Sequence, residues 1–320
     1  MEQIINEPIL FTPYFKNVLW GGNKICQYKG ISQQGECIGE SWEISSLPGY
    51  VSVVKSGRYK GLSLNELIDR FGEQLLGDRV YAKYSGKFPL LVKLIDASDN
   101  LSIQVHPNDE LAKERHNCMG KTEMWYIIST DKDSRIYAGL SRQITPDEYE
   151  KKVADGSFTD VITIHGSKPG DFYFLPAGCV HAIGTGNFLA EIQESSDITY
   201  RIFDYNRKDK NGNLRELHTS LAKDAIDYTV RNHKIEPKPD GSGAIVACEH
   251  FNVKKVIVDG EIVLKFKPDS FTVIMCIEGD ITYSTEEGIC SLAKGHTILL
   301  PATMTEFTVT GKATLLIARS

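Results

Sequence analysis

The chain has no Cys-x-x-Cys pair, no apolar run near the ~18 residues of a membrane helix, and no block of consecutive basic residues. The seven cysteines (Cys26, Cys37, Cys118, Cys179, Cys248, Cys276, Cys290) are odd in number and scattered. That excludes a disulfide framework and a structural zinc site closed by four thiolates. Cys179, two before a histidine, reads as a small buried residue. The opening Met1-Glu2-Gln3-Ile4 has no charged-then-apolar leader, so the expectation is a cytoplasmic protein with no membrane span. A net charge of −6 argues against a nucleic-acid or anionic-membrane surface, so an anionic substrate would need cations gathered by the fold. Hydrophobic residues at 41% and charged ones at 24% are ordinary for a globular protein, and 320 residues suit two domains.

Against this background one constellation stands out: Gln104-Val105-His106-Pro107, Glu123 on a second apolar run, and His181 after a Pro-Ala-Gly turn. In an extended strand Gln104 and His106, two apart, share a face. Two imidazoles, a carboxylate and an amide suit zinc or a similar divalent ion with an exchangeable position left open, the pattern of a catalytic centre. Taken singly, each residue has a plainer reading as a hydrogen-bonded core group. Together on three expected strands they favour a metal.

Short β-rich runs dominate: 43–46, 89–95, 103–106, 124–129, 171–175, 262–266, 271–277, 297–300 and 313–318. Helical patterns interrupt them. Ser63 and Glu66 form a capping box ahead of Leu64, Leu67, Ile68, Phe71 and Leu75, with Gly77 as terminator. Thr145-Pro146 opens a second helix ending near Gly156, and 216–230 reads as a third. The Pro- and Gly-rich stretch 231–243 is the expected linker, dividing the chain into a catalytic domain, 1–235, and a C-terminal domain, 236–320. A faint repeat relates 168–177 to 293–302, each a Gly turn, an apolar strand and Pro-Ala. Its register sets Glu123 opposite Thr272 and His181 opposite Glu306, so the second copy lacks the metal set.

Five segments, Gly39 to Ser45, Leu101 to Pro107, Gly120 to Tyr126, Pro176 to Ile183 and Gln193 to Arg201, closely resemble the type I mannose-6-phosphate isomerase family, in order. The resemblance implies a mainly β fold of two cupin or jelly-roll barrels with helical insertions, one zinc ion per chain, and interconversion of mannose 6-phosphate and fructose 6-phosphate. It implies His106, Glu123 and His181 as zinc ligands with Gln104 as the fourth, Arg201 as the active-site arginine, Lys121 in the same pocket and Glu191 as a pocket carboxylate. The chain looks like the compact bacterial form and departs in the loop between His181 and Glu191.

Aldose-ketose exchange moves a proton between C2 and C1 through an enediolate whose charge a zinc ion would stabilise. Glu191, Lys121 and a water on the metal are three open candidates for the proton carrier. For the phosphate, or for the C–O groups near the reacting carbons, Arg201 is the first choice, supported by Lys93, Ser102 and Arg207, with Trp20 as an apolar wall beside Trp42. The expected partner is a small sugar phosphate, and the expected state a monomer or weak homodimer. Rival readings are a glucose 6-phosphate isomerase of the same fold, a non-haem iron oxygenase, and a sugar-binding cupin without activity. The oxygenase lacks its close His-x-Asp/Glu pair here, and the binding protein would be expected to lack a ligand.

Overall fold

The computed structural model describes residues 4–32, 37–208, 211–236 and 244–320. The chain is mainly β, in three sheets. A seven-stranded sheet runs in the order Lys234–Ile235, Phe172–Leu175, Glu123–Thr130, Asn187–Glu194, Leu90–Asp96, Ile38–Ile44, Tyr14–Gly22. A five-stranded sheet faces it, in the order Tyr200–Phe203, Ile103–Val105, His181–Ile183, Arg135–Leu140, Ile162–Gly166. The third sheet, of eight strands, is built on three 14-residue strands, Asn252–Lys265, Thr272–Thr285 and Glu306–Arg319. The N-terminal strand Ile9–Thr12 joins this third sheet beside Thr297–Leu300, and Val53–Val54 pairs on its other side. Among the described residues each sheet keeps free edges, so closed barrels are not formed.

Side-chain alternation sorts the seven-stranded sheet into two faces. Met124, Tyr126, Val92, Leu94, Ala190 and Ile192 pack into a core shared with Val273, Met275 and Leu316 of the third sheet. Trp125, Ile127, Ile95 and Leu189 point the other way, onto Ile136, Ala138 and Ile183 of the five-stranded sheet. The functional residues lie on this second face. The outer side of the five-stranded sheet is covered by Tyr149 and Ala222 from two helices.

Ser63 and Glu66 do form the capping box, and Leu64, Leu67, Ile68 and Phe71 are buried. The helix Leu64–Phe71 breaks at Gly72 instead of running on to Gly77, and a short turn Glu73–Leu76 carries Leu75 inward. Pro146–Ala154 is helical behind its Thr145 cap, as expected. The third helix is only Thr219–Ala225. At its front the Glu216 carbonyl accepts Arg201 Nη1, and beyond its end Asp227 N donates to Gly178 O, so tertiary partners take the groups a longer helix would use. Helices at Lys24–Lys29, Asp78–Lys83 and Asp109–His116 had no strong sequence pattern. The supposed loop after His181 is mostly strand, a turn at Gly184–Gly186 joining His181–Ile183 to Asn187–Glu194. Of the expected linker, Lys234–Ile235 pairs with Phe172 and Tyr173, and 237–243 lies outside the described residues.

The repeat is real at the level of backbone pairing. Leu175 pairs with Glu123 as Leu300 pairs with Thr272, and Phe172 with Tyr126 as Thr297 with Met275. Gly170 and Gly295 both adopt positive φ, 92° and 80°, and each donates its N–H to the strand beside it, at Ile127 O and Cys276 O. Where Gln104 pairs with His181, Lys265 pairs with Glu306, and those two form an exposed ion pair at 3.0 Å.

Gly77 shows how closely the N-terminal helices meet the third sheet. Its φ is +83°, and a Cβ there would overlap the Asp269–Ser270 backbone. Gly77→Ala should therefore cost at least about 1–3 kcal/mol, read as a lower urea midpoint at unchanged m-value. An unchanged midpoint would show that this contact yields freely.

Candidate active site

A row of cross-strand neighbours crosses the inner face of the seven-stranded sheet: Trp42, Lys93, Glu191, Trp125 and Tyr173, each paired with the next. Lys93 Nζ lies 2.9 Å from Glu191 Oε1, and Trp125 Nε1 donates to Glu191 Oε2 at 2.9 Å. Lys93 also faces Glu40 at 3.8 Å and the Trp42 ring at 5.3 Å. Burial opposes the lysine's charge, but Glu191 and Glu40 outweigh it and hold Lys93 up to about 12. Burial would likewise raise the Glu191 carboxyl, yet Lys93, Lys121 and the Trp125 hydrogen bond pull it well below the usual range. The pair is ionised and fully engaged.

Two residues from Trp125, on the same face, stands Glu123 with no exposed surface. His181 Nε2 is 3.2 Å from its Oε1, and His106 Nε2 3.6 Å from its Oε2. Each imidazole is oriented from behind: His106 Nδ1 donates to Ile198 O at 2.8 Å, and His181 Nδ1 to Cys179 O at 2.9 Å. Those bonds leave both Nε2 lone pairs turned toward the carboxylate. Burial, then Lys121 and His181, hold His106 well below the usual imidazole range; burial takes His181 down to about 3. Both rings are thus neutral, the state a metal ligand needs. Burial raises the Glu123 carboxyl, with Lys121 opposing and Glu191 adding to the rise. His106 Nε2 and both Glu123 oxygens are buried without a hydrogen-bond partner. Apart from Lys121, which reaches Glu123 Oε2, no donor meets these converging lone pairs among the described residues, so the residues present fit a divalent metal.

A second row crosses the five-stranded sheet. His181 pairs with Gln104, and Gln104 with Arg201. The Gln104 amide nitrogen sits 3.2 Å from His181 Nε2, and Ser102 Oγ donates to Gln104 Oε1 at 3.4 Å. A half-turn of that amide would present oxygen to the cluster. Lys121 Nζ lies 3.1 Å from Glu123 Oε2.

Between the two sheets opens a cavity of 1080 Å³, whose wall includes Trp20, Lys93, Ser102, Gln104, Lys121, Glu191 and Arg201. Arg207, expected to support the phosphate, does not line it; Asp204 and Asp99 hold it at 2.9 and 3.4 Å. Arg215, tethered to Asp204 at 3.4 Å, lines the cavity, as Arg201 does. Burial, then the like charge of Arg215, lowers Arg201 below the usual guanidinium range without discharging it. Its Nε is buried and has no hydrogen-bond partner among the described residues. Lys16, stacked on the Trp42 ring at 4.3 Å, is another cation at the cavity wall that the sequence reading missed, and the lining residues His116, Asp197 and His218 were missed as well. Lys16, His116 and His218 lie outside the five segments that carry the resemblance, while Asp197 falls within the Gln193 to Arg201 segment without having been singled out; only the fold brings the four to one cavity.

Fold and site together define a mainly β protein with a candidate metal centre beside a cation-lined pocket. The comparisons are more specific. Residues 9–138 match the family described as Phosphomannose isomerase type I, catalytic domain, and residues 242–320 match Mannose-6-phosphate isomerase, cupin domain. The chain is 37% identical to the mannose-6-phosphate isomerase ManA of Bacillus subtilis over 98% of both sequences. It is 34% identical to a mannose-6-phosphate isomerase of Streptococcus mutans, again over 98% of each. A crystal structure of the mannose 6-phosphate isomerase from Bacillus subtilis superposes with a TM-score of 0.88 at 35% identity, covering 97% of this chain and 99% of that one. The chain belongs to the type I mannose-6-phosphate isomerase family.

The Lys93–Glu191 pair offers a direct test of the inner face. Lys93→Met strands a buried carboxylate and should cost about 3–5 kcal/mol in urea unfolding, whereas Lys93→Met with Glu191→Leu should regain most of it. Equal loss in the single and double variants would contradict the coupling.

Proposed function

We propose that the protein interconverts mannose 6-phosphate and fructose 6-phosphate, using one zinc ion held by His106, Glu123 and His181 with Gln104 as the fourth ligand. The observation that carries this reading is the convergence of two oriented imidazole nitrogens and a buried carboxylate, met by protein charge only at Lys121, beside a cation-lined cavity. Bound there, the ion would supply Lewis-acid stabilisation of charge developing on the substrate oxygens.

The remaining work falls to the chain's own groups. Strand spacing sets Arg201 roughly 10 Å from His181 across the sheet, two strands over, a span suited to a sugar phosphate. Arg201, with Arg215, receives the phosphate as a forked donor. Lys121 Nζ, at the cavity wall and touching Glu123, donates to a substrate oxygen as negative charge grows at C1 and C2. Glu191, held by Lys93 and Trp125 at the cavity wall, and Lys121 are the chain's own groups available to carry the proton from C2 to C1. Trp20 and Trp42 exclude water from the reacting carbons, and Ser102 steadies Gln104. We assign the catalytic domain to 1–235 and the C-terminal domain to 236–320, as two jelly-roll units that share a core. A cytoplasmic monomer or weak homodimer fits this role.

Isomerisation of mannose 6-phosphate, assayed before and after chelation with glucose 6-phosphate as control, tests the reading. Activity should vanish with chelator and return with zinc. His181→Ala should lose metal and activity together; Arg201→Ala and Lys121→Met should keep the metal while kcat falls by about 10²–10³. Full turnover in metal-free His181→Ala protein would refute the assignment.

A further inference from the structure

Away from this cavity, a second cluster of metal-ligating side chains lies where the C-terminal segment meets the catalytic sheet. Asp109 begins the helix Asp109–His116, Glu194 ends the central strand Asn187–Glu194, and His250 lies in the bend before Asn252–Lys265. Their ligand atoms fall within 4.8 Å of one another. His250 Nδ1 is 3.0 Å from Glu194 Oε1 and 4.0 Å from Asp109 Oδ2. Ligands at tetrahedral zinc distances stand about 3.3 Å apart, so the spacing is that of a loosely formed site.

The simpler reading is an imidazolium paired with carboxylates, and the geometry argues against it. Glu194 is 1% exposed and His250 9%, yet neither Glu194 Oε1 nor His250 Nδ1 has a hydrogen-bond partner, although they lie 3.0 Å apart. No hydrogen bond joins these facing atoms, just as none joins His106 Nε2 to Glu123 at the first cluster. His250 Nε2 instead faces Glu249 Oε1 at 3.1 Å. A ring proton on Nε2 toward Glu249 would leave the Nδ1 lone pair for a metal, the carboxylate–histidine arrangement found behind metal ligands. Burial lowers His250 below the usual imidazole range, in keeping with a neutral ring. The other carboxylate oxygens are occupied by the scaffold: Glu194 Oε2 accepts Thr122 N and Asp109 Oδ1 accepts Gly120 N, both at 2.7 Å. A cavity of 370 Å³ opens over the cluster, leaving room for water ligands.

We propose that Asp109 Oδ2, Glu194 Oε1 and His250 Nδ1 form a second divalent-cation site, for zinc or a similar first-row ion, that clips the C-terminal segment to the catalytic sheet. One imidazole and two carboxylates, one of them 55% exposed on its side chain, make it weaker than the first site. The clip is independent of the reaction the main cavity performs.

Chelated full-length protein titrated with Co²⁺, followed by equilibrium dialysis and visible absorption, would test it. Wild type should bind two equivalents, the second more weakly, and the second should raise Tm. Asp109→Asn preserves the Gly120 contact at a surface position and should weaken that equivalent at least about tenfold, abolishing the Tm increment while the first equivalent remains. Glu194→Gln should do the same, and His181→Ala should keep only the second. A single equivalent in wild type under excess Co²⁺, a second unaffected by both Asp109→Asn and Glu194→Gln, or binding without any rise in Tm would each overturn the proposal. None of these readouts depends on isomerase activity.

Discussion

Burial of charge between two facing sheets is the constraint on which the rest of this structure depends. Strand alternation would continue Ile95, Ile127 and Leu189 with apolar neighbours, but Lys93, Glu123 and Glu191 occupy those positions. Charges so placed persist only when paired or held by a cation, and each here has an arranged answer. Lys93 answers Glu191 across one ladder rung. Glu123 is answered in part by Lys121, and its remaining lone pairs join those of two histidines. The surrounding apolar residues give the low-dielectric setting in which these few groups act strongly.

The orienting contacts behind the histidines are backbone carbonyls, Ile198 O and Cys179 O, from segments on either side of the ligand strands. The site is therefore rigid because the sheet termini are, with no dependence on long flexible side chains. The cationic end is built differently. Arg201 and Arg215 are steadied by the Glu216 carbonyl and Asp204, groups that a longer helix or a plain surface loop would have used otherwise.

The internal repeat separates fold from chemistry. Backbone pairing around Glu123 and Thr272 is the same rung for rung, yet the second copy carries a threonine there and an exposed Lys265–Glu306 pair where Gln104 and His181 meet. The same ladder supports a candidate metal cluster in one place and none in the other, because side chains and not strand geometry would supply the ligands.

The sequence alone determined what depends on local order. The capping box at Ser63 and Glu66, the Thr145-Pro146 helix start, the Gly turns of the repeat and the His106, Glu123, His181 trio were all legible, since caps, turns and strand alternation act over a few residues. Less was legible where polar residues run along exposed strands: Asn252–Lys265 extends well before residue 262 because its partner Glu306–Arg319 satisfies its backbone, not because its side chains alternate cleanly. Asn187–Glu194, buried on both faces, gave no period at all and was read in part as loop. Only the tertiary structure decided that Arg207 is spent on Asp204 and Asp99 while Arg215 and Lys16 reach the cavity, and that Glu191 is locked by Lys93 and Trp125. Those outcomes depend on which distant segments become neighbours, and the energy of a charge depends on its neighbours far more than on its place in the chain.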